Sequence, residues 1–135
     1  MKQSIVLIML SALIVLSSGC SKTDESVDVD GIERNYNAEI PSSGSYPLII
    51  ALHGGGDTVN SFEDYTKLTV AQKASSEGFG VVYLDGEDKH WNDGRTESGS
   101  TADDISFINK IIDKYSAEGA NKFYIVGMSN GGVMA

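Results

Sequence analysis

Residues Lys122-Phe-Tyr-Ile-Val126 read as a short buried strand, and Gly127-Met-Ser-Asn-Gly131 follows without a break. This junction constrains the chain more than any other feature. A G-x-S-x-G pattern after a strand predicts a tight strand-to-helix turn that lifts the central serine above the sheet. The glycines two before and two after remove side chains that would clash in such a turn. Ser129 is therefore the candidate nucleophile. The N–H of Asn130, next in the chain, is a candidate donor to an oxyanion.

A second glycine cluster supports the first. Pro47-Leu-Ile-Ile-Ala-Leu52 is a continuous apolar run, expected for a strand buried on both faces of a parallel sheet. His53-Gly-Gly-Gly56 follows it. Glycines let backbone N–H groups approach a developing oxyanion, where losing one donor costs about 2.7–4 kcal/mol. Gly54 and Gly55 join Asn130 as candidate donors. His53 precedes the serine, whereas this architecture takes its base after the acid, so its expected task is to shape the loop. His90 is expected to be a solvated loop histidine.

The rest alternates strands and helices. Ile32, Arg34, Tyr36, Ala38 and Ile40 share one face of a strand, and Pro41 to Ser45 is turn chemistry. Helical spacing over 61–76 ends at Gly78, and Gly80-Val-Val-Tyr-Leu84 is a second buried strand. Residues 85–100 read as a polar loop. Thr101 reads as the cap of a helix with Asp103 and Asp104 in its first turn and Ile105, Ile108, Ile112 and Tyr115 on its apolar face. Such alternation predicts βαβ units with a site at the carboxyl ends of the strands.

Pro47–Gly56, Val81–Gly86, Trp91-Asn-Asp-Gly-Arg95, Asp103-Asp104 and Val126–Met134 occur here in the order that resembles the polyhydroxybutyrate depolymerase-like esterases, a group similar to secreted feruloyl and acetyl xylan esterases. The resemblance covers residues 32–135. It implies the N-terminal portion of an α/β-hydrolase, a three-layer, mostly parallel α/β sheet cut off after the serine turn. It also implies ester hydrolysis through an acyl-enzyme on Ser129, with no metal or other cofactor and with a small-molecule or polymeric ester as substrate. Trp91 and Arg95 would lie on a loop near the site, either touching substrate or, for Trp91, packing over the core.

The first twenty residues, MKQSIVLIMLSALIVLSSGC, carry a basic start, an apolar stretch and small residues before Cys20. This reads as an export signal, shorter than the roughly 20 apolar residues of a membrane span. The ending resembles a bacterial lipobox, which implies a lipidated Cys20 and a lipid anchor as the sole membrane attachment. Leu16 stands one place further from the cysteine than usual. The alternative is an ordinary cleaved signal with a cysteine there by chance. Residues 21–31 are polar and acidic and read as a flexible tether, leaving 32–135 as the domain. A net charge of -9 argues against nucleic acid as a partner.

In the resembled family the catalytic acid and histidine follow the serine. No aspartate or histidine follows Ser129 before Ala135. The expectation is an inactive fragment whose last strand is an uncovered apolar edge. Two other readings compete: a prolyl-oligopeptidase-type peptidase, and a non-catalytic surface lipoprotein that keeps the glycine motifs as fold elements.

Overall fold

A computed structural model describes residues 20–66, 74 and 76–135. The expected leader, apart from the Cys20 backbone, and much of the helix expected over 61–76 lie outside the described residues. The elements are β1 (Cys20–Val29), β2 (Ile32–Pro41), β3 (Tyr46–Leu52), α1 (Val59–Thr66), β4 (Gly80–Leu84), a 3-10 turn (Glu87–Lys89), α2 (Asp104–Ala117), β5 (Ala120–Gly127) and α3 (Asn130–Met134).

The strands form one sheet in the order β1-β2-β4-β3-β5. β3 runs parallel to both β4 and β5, while β1–β2 and β2–β4 are antiparallel. The sheet among the described residues is thus mixed rather than mostly parallel. Its two faces carry separate cores. Leu48, Ile50, Leu52, Val82 and Leu84 point to Phe107, Ile111 and Tyr115 of α2. Ala51, Val81 and Tyr83 point the other way, to Val59 and Phe62 of α1. Two-residue alternation along β3 and β4 sends successive side chains to opposite faces, which is why both strands are apolar throughout.

Three local expectations change. Residues 20–29 pair along β2 as a strand, from Val29↔Ile32 to Cys20↔Pro41, where a tether was expected. The turn is Asp30-Gly31, with φ of 53° and 86°, the two-residue geometry that fits strand twist. Acidic Glu25 of β1 finds partners: it accepts from the Tyr36 hydroxyl at 2.8 Å and lies 3.1 Å from the Lys114 ammonium. The first contact exists only once the hairpin pairs and the second is long-range in sequence, so composition alone reads as solvated tether.

The cap of α2 is Asp103 rather than Thr101; its carboxylate accepts from the Ser106 N–H at 2.9 Å and the Ser106 hydroxyl at 2.8 Å. The buried face is Asp104, Phe107, Ile108, Ile111 and Tyr115, while Ile105 is 62% exposed and Ile112 half-buried. Helix phase follows Asp104, which turns inward to a buried Arg34, 2.7 Å away. β5 forms the sheet edge among the described residues and is mostly exposed, with Tyr124 at 46% and Val126 at 43%, as the uncovered apolar edge expected of the last strand.

Candidate active site

Register places the site. Leu52 on β3 pairs with Leu84 on β4 and with Gly127 on β5, so His53, Asp85 and Met128 leave the sheet at one level. The Met128 N–H donates to the Leu52 carbonyl at 3.1 Å, which carries the pairing one residue into the turn.

Ser129 sits at φ 51°, ψ -117°, a region that costs a non-glycine residue on the order of 1–3 kcal/mol. The flanking glycines show what holds it there. A Cβ on Gly127 would stand 2.2 Å from the Gly131 carbonyl oxygen, and one on Gly131 would stand 2.3 Å from that of His53. Neither position admits a side chain. The turn is thus packed backbone on backbone, and exposed Ser129 is its apex.

The His53–Gly56 loop lies directly against this turn. A Cβ on Gly54 would be 3.7 Å from Ser129 Cβ, and one on Gly55 would be 3.4 Å from Asn130 Cβ. The Gly56 amide is already committed to the Lys89 carbonyl at 2.8 Å. The amides of Gly54 and Gly55 have no hydrogen-bond partner among the described residues. Gly54, Gly55 and Asn130, singled out from sequence, are therefore brought together around Ser129.

His53 is fully buried and uses both ring nitrogens. Nδ1 donates to the Gly54 carbonyl at 2.8 Å, and Nε2 accepts from the Gly86 amide at 2.8 Å. A carbonyl can only accept and an amide can only donate, so the ring is the neutral Nδ1–H tautomer. It cannot take a proton from Ser129 without losing its place. Its effect is on the loop. In a planar trans peptide the C=O and the next N–H point opposite ways, so holding the Gly54 carbonyl inward turns the Gly55 N–H outward.

His90 is not a freely solvated histidine. It is half-buried, its Nδ1 donates to the Asp88 carbonyl at 2.8 Å, and its ring edge lies where side chains on Gly55 or Gly99 would stand. No hydrogen bond joins it to Ser129.

The Trp91–Arg95 segment closes the corner. Trp91 is fully buried, lies against His53 with ring centres 5.1 Å apart and planes tilted by 46°, and donates from Nε1 to the His53 carbonyl at 2.8 Å. Asn92 donates its amide to Asp104 at 2.6 Å and its side chain to the Ala102 carbonyl at 3.0 Å. Asp93 accepts from Asn130 at 2.7 Å and is paired with exposed Arg95. The Arg95 guanidinium beside Asp93, joined by the Asn130 amide, holds its carboxyl well below the usual carboxylate range.

Sequence reasoning missed Arg34, Asp104 and Asp93 as site supports. Asp104 bridges Arg34 and the Asn92 amide, so it pins the loop as well as starting α2. An arginine on the apolar face of a strand was one available signal, and the Asp93 and Asp104 motifs in the family resemblance were another. A cavity of about 550 Å³, lined by residues that include Ile32, Glu87, Asp88, Gly99 and Asp103, does not include Ser129.

A cold-adapted esterase from an Arctic intertidal metagenomic library superposes with a TM-score of 0.67 at 22% identity, covering 87% of this chain and 54% of its own. FphF, a fluorophosphonate-binding serine hydrolase of Staphylococcus aureus, gives 0.65 at 13% identity, covering 84% of this chain and 49% of its own. The chain has the α/β-hydrolase fold. Its strands match the N-terminal part of that fold. A bacterial heroin esterase shares this hydrolase fold with a TM-score of 0.63 at 23% identity, over 90% of this chain and 39% of its own. Among curated proteins, NocK of Nocardia uniformis subsp. tsuyamanensis, described as an esterase, is 27% identical over 95 residues, which span 66% of this chain and 27% of NocK. The chain thus spans about half the length of the first solved relative and about a quarter of the curated one. No protein-family model matches it.

Proposed function

We propose that Ser129 is the nucleophile of a carboxylic ester hydrolase. The observation that carries this reading is the strained Ser129 backbone, at φ 51°, ψ -117°, between two glycines that admit no Cβ. Strain of this kind persists where the surroundings over-determine it, and it clusters at functional sites. In the proposed reaction the Ser129 hydroxyl adds to the ester carbonyl and the proton passes to a general base. The oxyanion is received by the amides of Asn130 and of Gly54 or Gly55. Collapse expels the alcohol and leaves an acyl-Ser129, which water then cleaves.

Neither histidine supplies that base, since His53 is committed at both nitrogens and His90 has no hydrogen bond to Ser129. The general base is therefore a group other than these two histidines. We assign the substrate to the esters handled by polyhydroxybutyrate depolymerase-like and feruloyl esterase-like enzymes, and an exported form held by lipid on Cys20. The Trp91–Arg95 motif and the signal-like leader support these finer assignments.

The test uses the product of the full reading frame. Labelling by a fluorophosphonate and turnover of aryl esters, both lost in Ser129→Ala, are expected. Hydroxybutyrate oligomers, feruloyl esters and peptide amides would then rank the substrate classes, and hydrolysis of amides alone would overturn the ester assignment. Incorporation of radiolabelled fatty acid, lost in Cys20→Ala, tests the anchor.

A further inference from the structure

We propose that the side chains of Asn130 and Asp93 are positioning groups that fix the spacing between the two halves of the oxyanion site. The inference rests on the serine-hydrolase reading above and adds to it. That reading uses only the Asn130 main chain.

The Asn130 side chain is buried, though it opens a helix at an exposed serine turn. Its Oδ1 accepts from the Trp91 N–H at 2.8 Å, while its Nδ2 donates to the Trp91 carbonyl at 3.0 Å and to Asp93 Oδ2 at 2.7 Å. The carboxamide thus clasps one residue's main chain at two points and a carboxylate at a third. Two bonds, one to the N–H and one to the C=O of the same residue, fix direction as well as distance.

From Trp91 the connection continues to the other half of the site. The indole N–H holds the His53 carbonyl, the indole ring lies against the imidazole, and the imidazole holds the Gly54 carbonyl. The last contact sets the direction of the Gly55 N–H, as argued above. Hydrogen bonds therefore join the residue carrying one candidate oxyanion donor to the peptide carrying the other. The same Asp93 Oδ2 also accepts from Arg95 Nε at 3.0 Å, while Oδ1 accepts from the Arg95 main-chain N–H at 3.1 Å, so the Asn130 amide meets an acceptor that is itself held in place.

Oxyanion donors must match the place where charge develops. A misplacement of about 1 Å can cost on the order of 10²-fold, and loss of one donor about 10²–10³-fold. Because the donors act on the transition state rather than the bound ester, loosening the clasp should lower kcat and leave KM nearly unchanged. A role confined to folding would lower stability and leave kcat of the folded enzyme intact.

The experiment compares Asn130→Ala, Asn130→Asp, Asp93→Asn and the exchange Asn130→Asp/Asp93→Asn in the full-length protein. Asn130→Ala and Asn130→Asp are expected to lose about 10–100-fold in kcat, with KM within about 3-fold. Asn130→Asp sets two carboxylates together, and the exchange restores one donor–acceptor pair, so it should recover at least about 5-fold over Asn130→Asp. Unchanged kcat in Asn130→Ala, or strictly additive effects in the exchange, would overturn the proposal.

A second readout needs no turnover. The Gly54 and Gly55 amide resonances and the Trp91 indole N–H are expected to shift or broaden in Asn130→Ala, and unmoved resonances would also sink the idea. Failure of the underlying reading looks different: the parent would resist fluorophosphonate, or Ser129→Ala would keep its activity, whatever the resonances do.

Discussion

Strands β4 and β5 are both apolar runs, and both lie parallel to β3 in matched register. Their surroundings differ sharply. All of β4 is buried, because the two cores lie on its opposite faces. β5 buries only Ala120, and its apolar side chains from Tyr124 to Val126 are exposed. Yet the turns that leave the two strands are equally tied down. The Gly86 amide after β4 donates to His53, and the Met128 amide after β5 donates to Leu52. What fixes the candidate site is therefore main-chain register and close backbone packing, more than the burial of the strands that lead to it.

The sharpest challenge to that contrast is Gly131→Ala. Its Cβ would meet the His53 carbonyl at 2.3 Å, backbone against backbone, so relief requires the corner to open. A loss of more than about 4 kcal/mol is expected, read from denaturant midpoints. A mild effect would mean that the corner is less tightly determined than its register implies.

Next in size is Asp104→Ala, which removes the buried carboxylate from Arg34, leaving it the Asp85 carbonyl at 3.1 Å and half-exposed Glu87 at 3.8 Å, and frees the Asn92 amide. Breaking a buried pair from one side costs about 3–5 kcal/mol. Asp103→Ala removes only an exposed cap one residue earlier and should cost far less. Equal losses would show that the loop after β4 does not lean on Asp104.

The strands themselves can be compared directly. Leu84→Ala, at a fully buried site, should cost about 2–5 kcal/mol. Val126→Ala on β5, 43% exposed, should cost less than about 1 kcal/mol in this chain. Similar values would erase the distinction between the two strands.

The smallest effect is on acid stability. The Arg95 guanidinium holds the Asp93 carboxyl below its ordinary value, and the Ser106 amide does the same for Asp103. A depressed folded-state value favours folding wherever the carboxylate is charged in both states. That contribution is present above the unfolded value near pH 4 and is lost as pH falls through the lower folded values. Unfolding midpoints should therefore decline only below about pH 4 on account of these groups, and less steeply in Asp93→Asn.

Much of the site was legible because its requirements are local. A strand followed by G-x-S-x-G has few ways to turn, and Ser129 and Gly131 stand where that reading puts them. The same holds for Gly54 and Gly55 after β3. The β1 strand was hidden because one of its acidic residues, Glu25, is held by Tyr36 and Lys114, contacts no local pattern reveals. The Asp30-Gly31 pair beside Val27 and Val29 was a usable hairpin signal. The face of α2 shifted because one long-range pair, Arg34 with Asp104, sets the helix phase against the simple isoleucine spacing.

By itself the sequence determined the alternation of strands and helices, the two glycine turns and the serine between them. These follow from sterics acting over a few residues. Only the tertiary structure decided which groups support that serine. It made His53 a fixed neutral donor, buried Trp91 beneath the loop and turned the Asn130 side chain into a clasp. Apart from the His53–Gly54 bond, those roles depend on hydrogen bonds between residues tens of positions apart, and such bonds exist only once β3, β4 and β5 are in register.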